Sequence, residues 1–261
     1  MTPQQVLIDR VRADFEELEV VRGLWLTGSF GSRTEDEWSD VDMFALVDDD
    51  KRDGLVGGWP QFAARYGPLM LKQTPGTPVY GHILSGWLRW DLVIGTRHDL
   101  AFLDKRRVVE LVNKDGVAPG SPGHRGADLD VVLEMTEEFL RVLGLLPVVL
   151  ARDEMVTAVS GTGLLRQLLT TLLRYRVEGD RLSGALHLSK VLPEDQLQAL
   201  MALPVAHPDP GSVTEAHLAC ARMFLPVARQ MLAERFPVQL EEACFLHLEE
   251  HLGADAVGAG W

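Results

Sequence analysis

Cysteine is nearly absent: of 261 residues only Cys220 and Cys244 carry a thiol. Each stands among apolar residues at helical spacing, so buried reduced thiols are expected rather than a disulfide or a thiolate metal site. No run of about 18 apolar residues occurs, which leaves no candidate membrane-spanning helix. Met1–Leu18 is amphipathic and acid-rich rather than a secretory hydrophobic region, so a cytoplasmic protein without a membrane partner is expected. Basic residues are also scarce. Lys and Arg total 25 against 38 Asp and Glu, a net charge of −13, whereas chains that grip nucleic-acid phosphates normally present a basic surface. No nucleic-acid partner is expected, and an acidic cleft would favour a cationic small molecule. The eight histidines show no His-Glu-x-x-His spacing, and no Gly-x-x-x-x-Gly-Lys-Ser/Thr loop exists. Zinc and a P-loop kinase therefore find no support.

Against these absences stands a hydrophobic content of 46%, ample for one large or two modest domains. The most informative stretch is GLWLTGSFGSRTEDEWSDVDMFALV, Gly23–Val47. An apolar run, expected as a strand over Gly23–Thr27, ends in Gly28-Ser29, which turns the chain into a short helix. The unpaired amides of that helix and the Ser29 hydroxyl suit an anion such as phosphate. After ten residues comes Asp40-Val41-Asp42, leading into Met43–Val47, apolar on both faces and so expected as a central strand wet only at its leading end. In an extended chain Asp40 and Asp42 share a face, roughly 6.5–7 Å apart at about 3.3 Å per residue. Paired carboxylates there suit a hard cation such as Mg²⁺.

Gly28-Ser29, ten residues, then Asp40-x-Asp42 resembles the signature of the polymerase-beta-type nucleotidyltransferase superfamily, in particular its small aminoglycoside- and lincosamide-modifying members. One departure is that Ser32-Arg33-Thr34 stands where relatives often carry Arg-Gly. The resemblance implies a third carboxylate on a later strand, and Asp91 in LRWDLVIG fits: an ionised Asp among Leu88, Trp90, Leu92, Val93 and Ile94 is costly to bury without a cation. It further implies that Gly28 and Ser29 cradle the phosphates of a nucleoside triphosphate, ATP by default. Asp40, Asp42 and Asp91 would hold Mg²⁺, and Asp91 would also accept the proton of an acceptor hydroxyl before attack on the α-phosphorus. The expected acceptor is a small hydroxylated molecule such as an aminoglycoside or lincosamide antibiotic, and the expected assembly is a monomer or homodimer. Alternatives are transfer of AMP to a protein, in an antitoxin-like pairing, and a nucleotide-binding module without turnover.

The fold class expected is α+β: a nucleotidyltransferase domain over residues 1–115, with a mixed sheet flanked by helices, then an all-helical substrate domain over 127–252. Thr2–Val20 reads as a helix on the sheet, Leu55–Tyr66 as a helix broken at Trp59-Pro60, and Leu69–Lys72, Val79–Leu84 and Trp87–Gly95 as strands. The turn Gln73–Pro78 separates the first two. Asp99–Val112 reads as helical, and Asn113–Gly126, rich in Gly and Pro, as the domain boundary. Beyond it helical periodicity repeats, with Pro147 and Pro226 expected to separate or kink helices and Thr162 expected to cap one after Gly161. The tail Gly253–Trp261 reads as flexible, with no role for Trp261.

In the helical half, Asp130, Glu134, Glu137 and Glu138 form an acidic stripe that is either a solvated face or, with Glu134 and Glu138 foremost, a binding surface for an amine-bearing acceptor. A triphosphate calls for a basic side chain. Lys190 and Arg181 are the first candidates, with Arg166, Arg174 and Lys72 behind them; a surface ion pair is the commoner fate of any one of these.

Overall fold

The computed structural model describes residues 1–68, 70–73, 79–121, 126–179 and 185–258. The chain divides into two compact units, Met1–Gly123 and His124–Trp261. The expected turn over 74–78, Arg181 and Trp261 lie outside the described residues.

The first unit is built on a six-stranded mixed sheet. In chain order its elements are α1 (Pro3–Glu17), β1 (Val21–Leu26), α2 (Gly28–Ser32), β2 (Val41–Val47), α3 (Arg52–Ala63), β3 (Met70–Gln73), β4 (Val79–Leu84), β5 (Leu88–Gly95), α4 (Arg97–Leu100) and β6 (Val109–Asn113). The strand order is β3-β4-β5-β2-β1-β6. Only β2 and β5 run parallel; the other neighbouring pairs are antiparallel.

Two apolar clusters hold the sheet, and alternation along the strands sorts residues between them. One face carries Val41, Met43, Ala45, Trp90, Leu92 and Ile94, packed in one cluster with Leu7, Ile8, Val11 and Phe15 of α1 and Trp59 of α3. Thr2 starts α1 by accepting a hydrogen bond from the Gln5 amide, with Pro3 in the first turn. Each large side chain buried there contributes roughly 1.5–3 kcal/mol. The opposite face carries a smaller cluster of Trp25, Phe44, Leu46 and Leu100.

Two expectations fail in this unit. Asp99–Val112 is not one helix: Thr96 and Asp99 cap only the short α4, and Val109–Asn113 is an edge strand on β1. Val112 is buried and Val109 and Leu111 are half-buried, while Glu110 is exposed, and the open edge of β1 supplies the ladder that a helix would have supplied internally. Nor does α3 break at Pro60. Proline deprives the Val56 carbonyl of its helical donor, and the Tyr80 hydroxyl donates to that carbonyl instead, at 3.2 Å.

The described part of the second unit is helical throughout: α5 (Leu129–Gly144), α6 (Leu146–Ala151), α7 (Met155–Glu178), α8 (Leu188–Val191), α9 (Glu194–Met201), α10 (Pro210–Leu232), α11 (Val238–Leu252) and α12 (Ala254–Val257). Phe139 of α5 stacks on Phe224 of α10 at 3.9 Å between ring centroids, within a core that includes Leu165, Leu169 and Leu172 of α7. Cys220 and Cys244 are free and buried, as expected, and burial pushes their thiols up to about 11 and about 12. Thr162 caps no helix. It lies in the middle of the 24-residue α7, its hydroxyl 3.0 Å from His217 Nδ1 on α10. α10 likewise continues through Pro226. The tail is not wholly irregular, since α12 buries Val257. No helix among the described residues is long and apolar enough to cross a membrane.

Candidate metal centre

The parallel pairing of β2 and β5 sets Asp42 directly opposite Asp91. In-register neighbours project to the same face, and Asp40, two residues before Asp42, shares it. One oxygen from each of Asp40, Asp42 and Asp91 lies within 4.8 Å of the other two, and all three residues are half-buried. The cluster sits on the face that carries Phe44 and Leu46 further along β2.

The residues behind the cluster fix its position. On the other face of β5, Trp90 is fully buried. Trp59 Nε1 donates to His82 Nε2 at 3.0 Å, His82 Nδ1 donates to the Trp90 carbonyl at 2.8 Å, and the imidazole stacks on the Trp90 ring at 4.5 Å. Burial lowers the His82 pKa, which keeps the ring neutral and suits one nitrogen to donate while the other accepts. Asp91 is thus carried on a strand whose adjacent residue is locked in the core.

α2 begins beside Asp42. The Thr27 amide donates to the Asp42 carbonyl at 2.9 Å, and Gly28 turns the chain with φ +57°. A Cβ at position 28 would overlap the Asp42 carboxylate. Glycine is therefore required there for its conformation and for its lack of a side chain. Arg33, where the motif departs from the family pattern, adopts the left-handed conformation at φ 57° and closes α2, and the Thr34 amide donates to the Ser29 carbonyl at 3.0 Å. The Ser29 hydroxyl oxygen is buried and has no hydrogen-bond partner among the described residues. A buried polar atom left unpaired is costly, and an anion seated at the first turn of α2 would supply the missing partner.

The electrostatics follow from crowding three acids. Burial, reinforced by the charges of Asp40 and Asp91, pushes the Asp42 carboxyl up to about 7, with Arg89 acting in the opposite sense. A divalent cation bound by the three carboxylates would remove that repulsion, and an all-oxygen donor set with this spacing fits Mg²⁺.

Two basic residues that the sequence does not single out lie beside Asp40 and α2. Arg89 Nη2 lies 3.0 Å from Asp40 Oδ2, and Arg107 Nε donates to Ser32 Oγ of α2 at 3.4 Å. Arg89 was detectable: it precedes Asp91 by two residues on the same strand and so shares its face. Arg107 was not, because helical periodicity over Asp99–Val112 hides the turn that brings it to α2. Lys72 lies on the register row that runs through Gly81 to Asp91.

The remaining candidates belong to the second unit. Glu134 is exposed on α5, while Glu138 accepts two hydrogen bonds from Arg141, at 2.6 and 2.7 Å, which hold its pKa down. Asp130 pairs with Arg235. Arg166 donates to the carbonyls of Leu200 and Pro204, a tie between α7 and the end of α9, and Arg174 is buried 3.4 Å from Glu178. Lys190 is exposed on α8. The structure thus gathers Gly28, Ser29, Asp40, Asp42 and Asp91 in the first unit, and carries Glu134, Glu138 and Lys190 on the second.

No protein-family model matches the sequence, and no curated protein matches it. Among solved structures the chain is similar to an aminoglycoside 6-adenyltransferase from Bacillus subtilis, at 14% identity and a TM-score of 0.46, over 97% of this chain and 100% of that one. It is also similar to the Thermotoga maritima CCA-adding enzyme in complex with tRNA, at 14% identity and a TM-score of 0.37, over 96% of this chain and 70% of that one. A nucleotidyltransferase-like protein from Exiguobacterium sibiricum is similar at 10% identity and a TM-score of 0.34, over 94% and 87% of the two chains.

Proposed function

We propose that the chain is a Mg²⁺-dependent nucleotidyltransferase that moves a nucleoside monophosphate, AMP from ATP by default, onto a hydroxyl of a small molecule and releases pyrophosphate. The observation that carries this reading is the convergence of Asp40, Asp42 and Asp91 within 4.8 Å on adjoining strands, with the unpartnered Ser29 hydroxyl on the turn that abuts Asp42. Asp40, Asp42 and Asp91 would hold Mg²⁺, which when bound supplies charge neutralisation for the triphosphate and acidifies the acceptor hydroxyl.

The chain's own groups do the rest. The first turn of α2 and the Ser29 hydroxyl hold the outer phosphates and orient the α-phosphorus. Asp91 takes the proton of the acceptor hydroxyl as the new oxygen–phosphorus bond forms and the bond to the pyrophosphate oxygen breaks in line. Arg89 lies beside Asp40 and Arg107 beside α2, and we add them to Lys190 and Arg181 as candidates for the triphosphate. Glu134 and Glu138 are proposed to receive amine groups of the acceptor. Glu134 carries more of that role, because Glu138 is already engaged by Arg141. An aminoglycoside or a lincosamide fits this description, in keeping with the net charge of −13.

The test is pyrophosphate release from Mg²⁺-ATP against a panel of hydroxylated antibiotics and other small alcohols. Acceptor-dependent release that disappears in Asp42→Asn supports the proposal. Tight ATP binding without release for any acceptor sinks the small-molecule reading, and label appearing in polypeptide redirects it to a protein acceptor.

A further inference from the structure

A second feature with chemical direction lies wholly within the second unit. His217 on α10 is buried, at 2% exposure. Its Nδ1 is 2.9 Å from the Val213 carbonyl and 3.0 Å from the Thr162 hydroxyl. A carbonyl can only accept, so Nδ1 carries the proton and Nε2 keeps its lone pair. Burial lowers the pKa of the ring, in accord with a neutral imidazole. Among the described residues Nε2 has no hydrogen-bond partner.

That nitrogen is left accessible by a glycine. A Cβ at Gly161 of α7 would stand 3.2 Å from His217 Nε2. Gly161 and His217 line one pocket of about 260 Å³, with Leu145, Leu146, Val149 and Leu164 among its apolar walls. Leu145 and Leu164 are 42% and 38% exposed, so the mouth is apolar and open. Of the polar neighbours, Arg141 is engaged with Glu138 and Ser160 donates to the Val156 carbonyl, while Thr157, which also lines the pocket, is exposed to solvent. The pocket therefore presents apolar surface and, from a buried side chain, the accessible acceptor His217 Nε2.

We propose that this pocket binds a small, mostly apolar molecule carrying one hydroxyl or N–H group, which donates to His217 Nε2. Shape and burial supply the affinity, and the lone pair selects for a donor, because a ligand without one leaves the nitrogen desolvated and unpaired. The site is independent of the carboxylate centre and of the reaction proposed there.

The test uses the full chain and two matched probes, 4-ethylphenol and its methyl ether 4-ethylanisole, followed by amide chemical shifts in an NMR titration. The expected result is saturable binding of the phenol, with shifts centred on residues 141–164 and 213–217, and an affinity roughly three- to tenfold weaker for the ether. Gly161→Ala places a methyl group 3.2 Å from Nε2 and should abolish the discrimination, with the dispersion of its amide shifts as the check that the variant is folded. Leu164→Trp, at the rim, should weaken both probes. Failure of either probe to saturate, equal affinity for the two, or unchanged phenol binding in both variants would overturn the proposal.

Discussion

Gly28 and Asp42 occupy space that only a residue without a side chain can share. The chain turns at position 28 with φ +57°, and a Cβ built there would overlap the Asp42 carboxylate, with Asp42 Cγ only 2.8 Å away. The glycine turn and the carboxylate strand are therefore one construction. Gly28→Ala should lower stability modestly, by about 1–2 kcal/mol from left-handed strain. It should lower divalent-ion affinity at least tenfold, because Asp42 must rotate away. Thermal melting together with Mn²⁺ titration followed by electron paramagnetic resonance separates the two effects.

The Asp42 carboxyl gives the metal-free chain a pH signature. It holds its proton up to about pH 7 in the fold and releases it near pH 4 when unfolded. Between these values the folded chain binds more protons than the unfolded one. Stability from this group is thus complete below about pH 4 and lost as pH rises through 7, by an amount on the order of a few kcal/mol. Asp42→Asn should flatten that slope and raise the melting temperature of the metal-free protein near pH 8. The parent, and not the variant, should gain stability on adding Mg²⁺. Melting curves from pH 5 to 8.5, with and without the ion, check both outcomes.

Arg89 partly offsets the crowded acids, since it pairs with Asp40 and depresses the Asp42 pKa. Arg89→Gln should move the pH at which divalent binding is half-developed upward. Because Arg89 is more than a third exposed, its effect on global stability should stay within about 1 kcal/mol. Calorimetric Mn²⁺ titrations at several pH values would contradict this if the midpoint stayed in place or fell.

Tyr80 repairs the hydrogen-bond ladder that Pro60 interrupts, by donating to the Val56 carbonyl. Tyr80→Phe should cost about 1 kcal/mol in denaturant unfolding. A loss indistinguishable from zero would mean that solvent satisfies Val56 equally well.

Much of the centre was legible in the sequence because its spacing is local. Gly28-Ser29 and Asp40-x-Asp42 lie on one strand–helix–strand unit, and Asp91 stands out as the lone carboxylate in an otherwise largely apolar strand. What was missed depended on tertiary partners. Val109–Asn113 is a strand because β1 offers an edge. Pro60 leaves its helix intact because Tyr80, far along the chain, replaces the lost donor. Gly161-Thr162-Gly163 has the composition of a helix start, yet Thr162 and Gly161 instead accommodate the buried His217 of another helix. Arg89 needed only the period of two applied backward from Asp91.

The most direct test of the carboxylate centre is to supply ATP radiolabelled at the α-phosphorus or at the γ-phosphorus, with Mg²⁺ and an acceptor that elicits pyrophosphate release. The account predicts that α-label enters the acceptor, γ-label leaves as pyrophosphate, and both fall by at least about a thousandfold in Asp42→Asn. Label from the γ-position in the acceptor or in free phosphate, or transfer undiminished in Asp42→Asn, would contradict it.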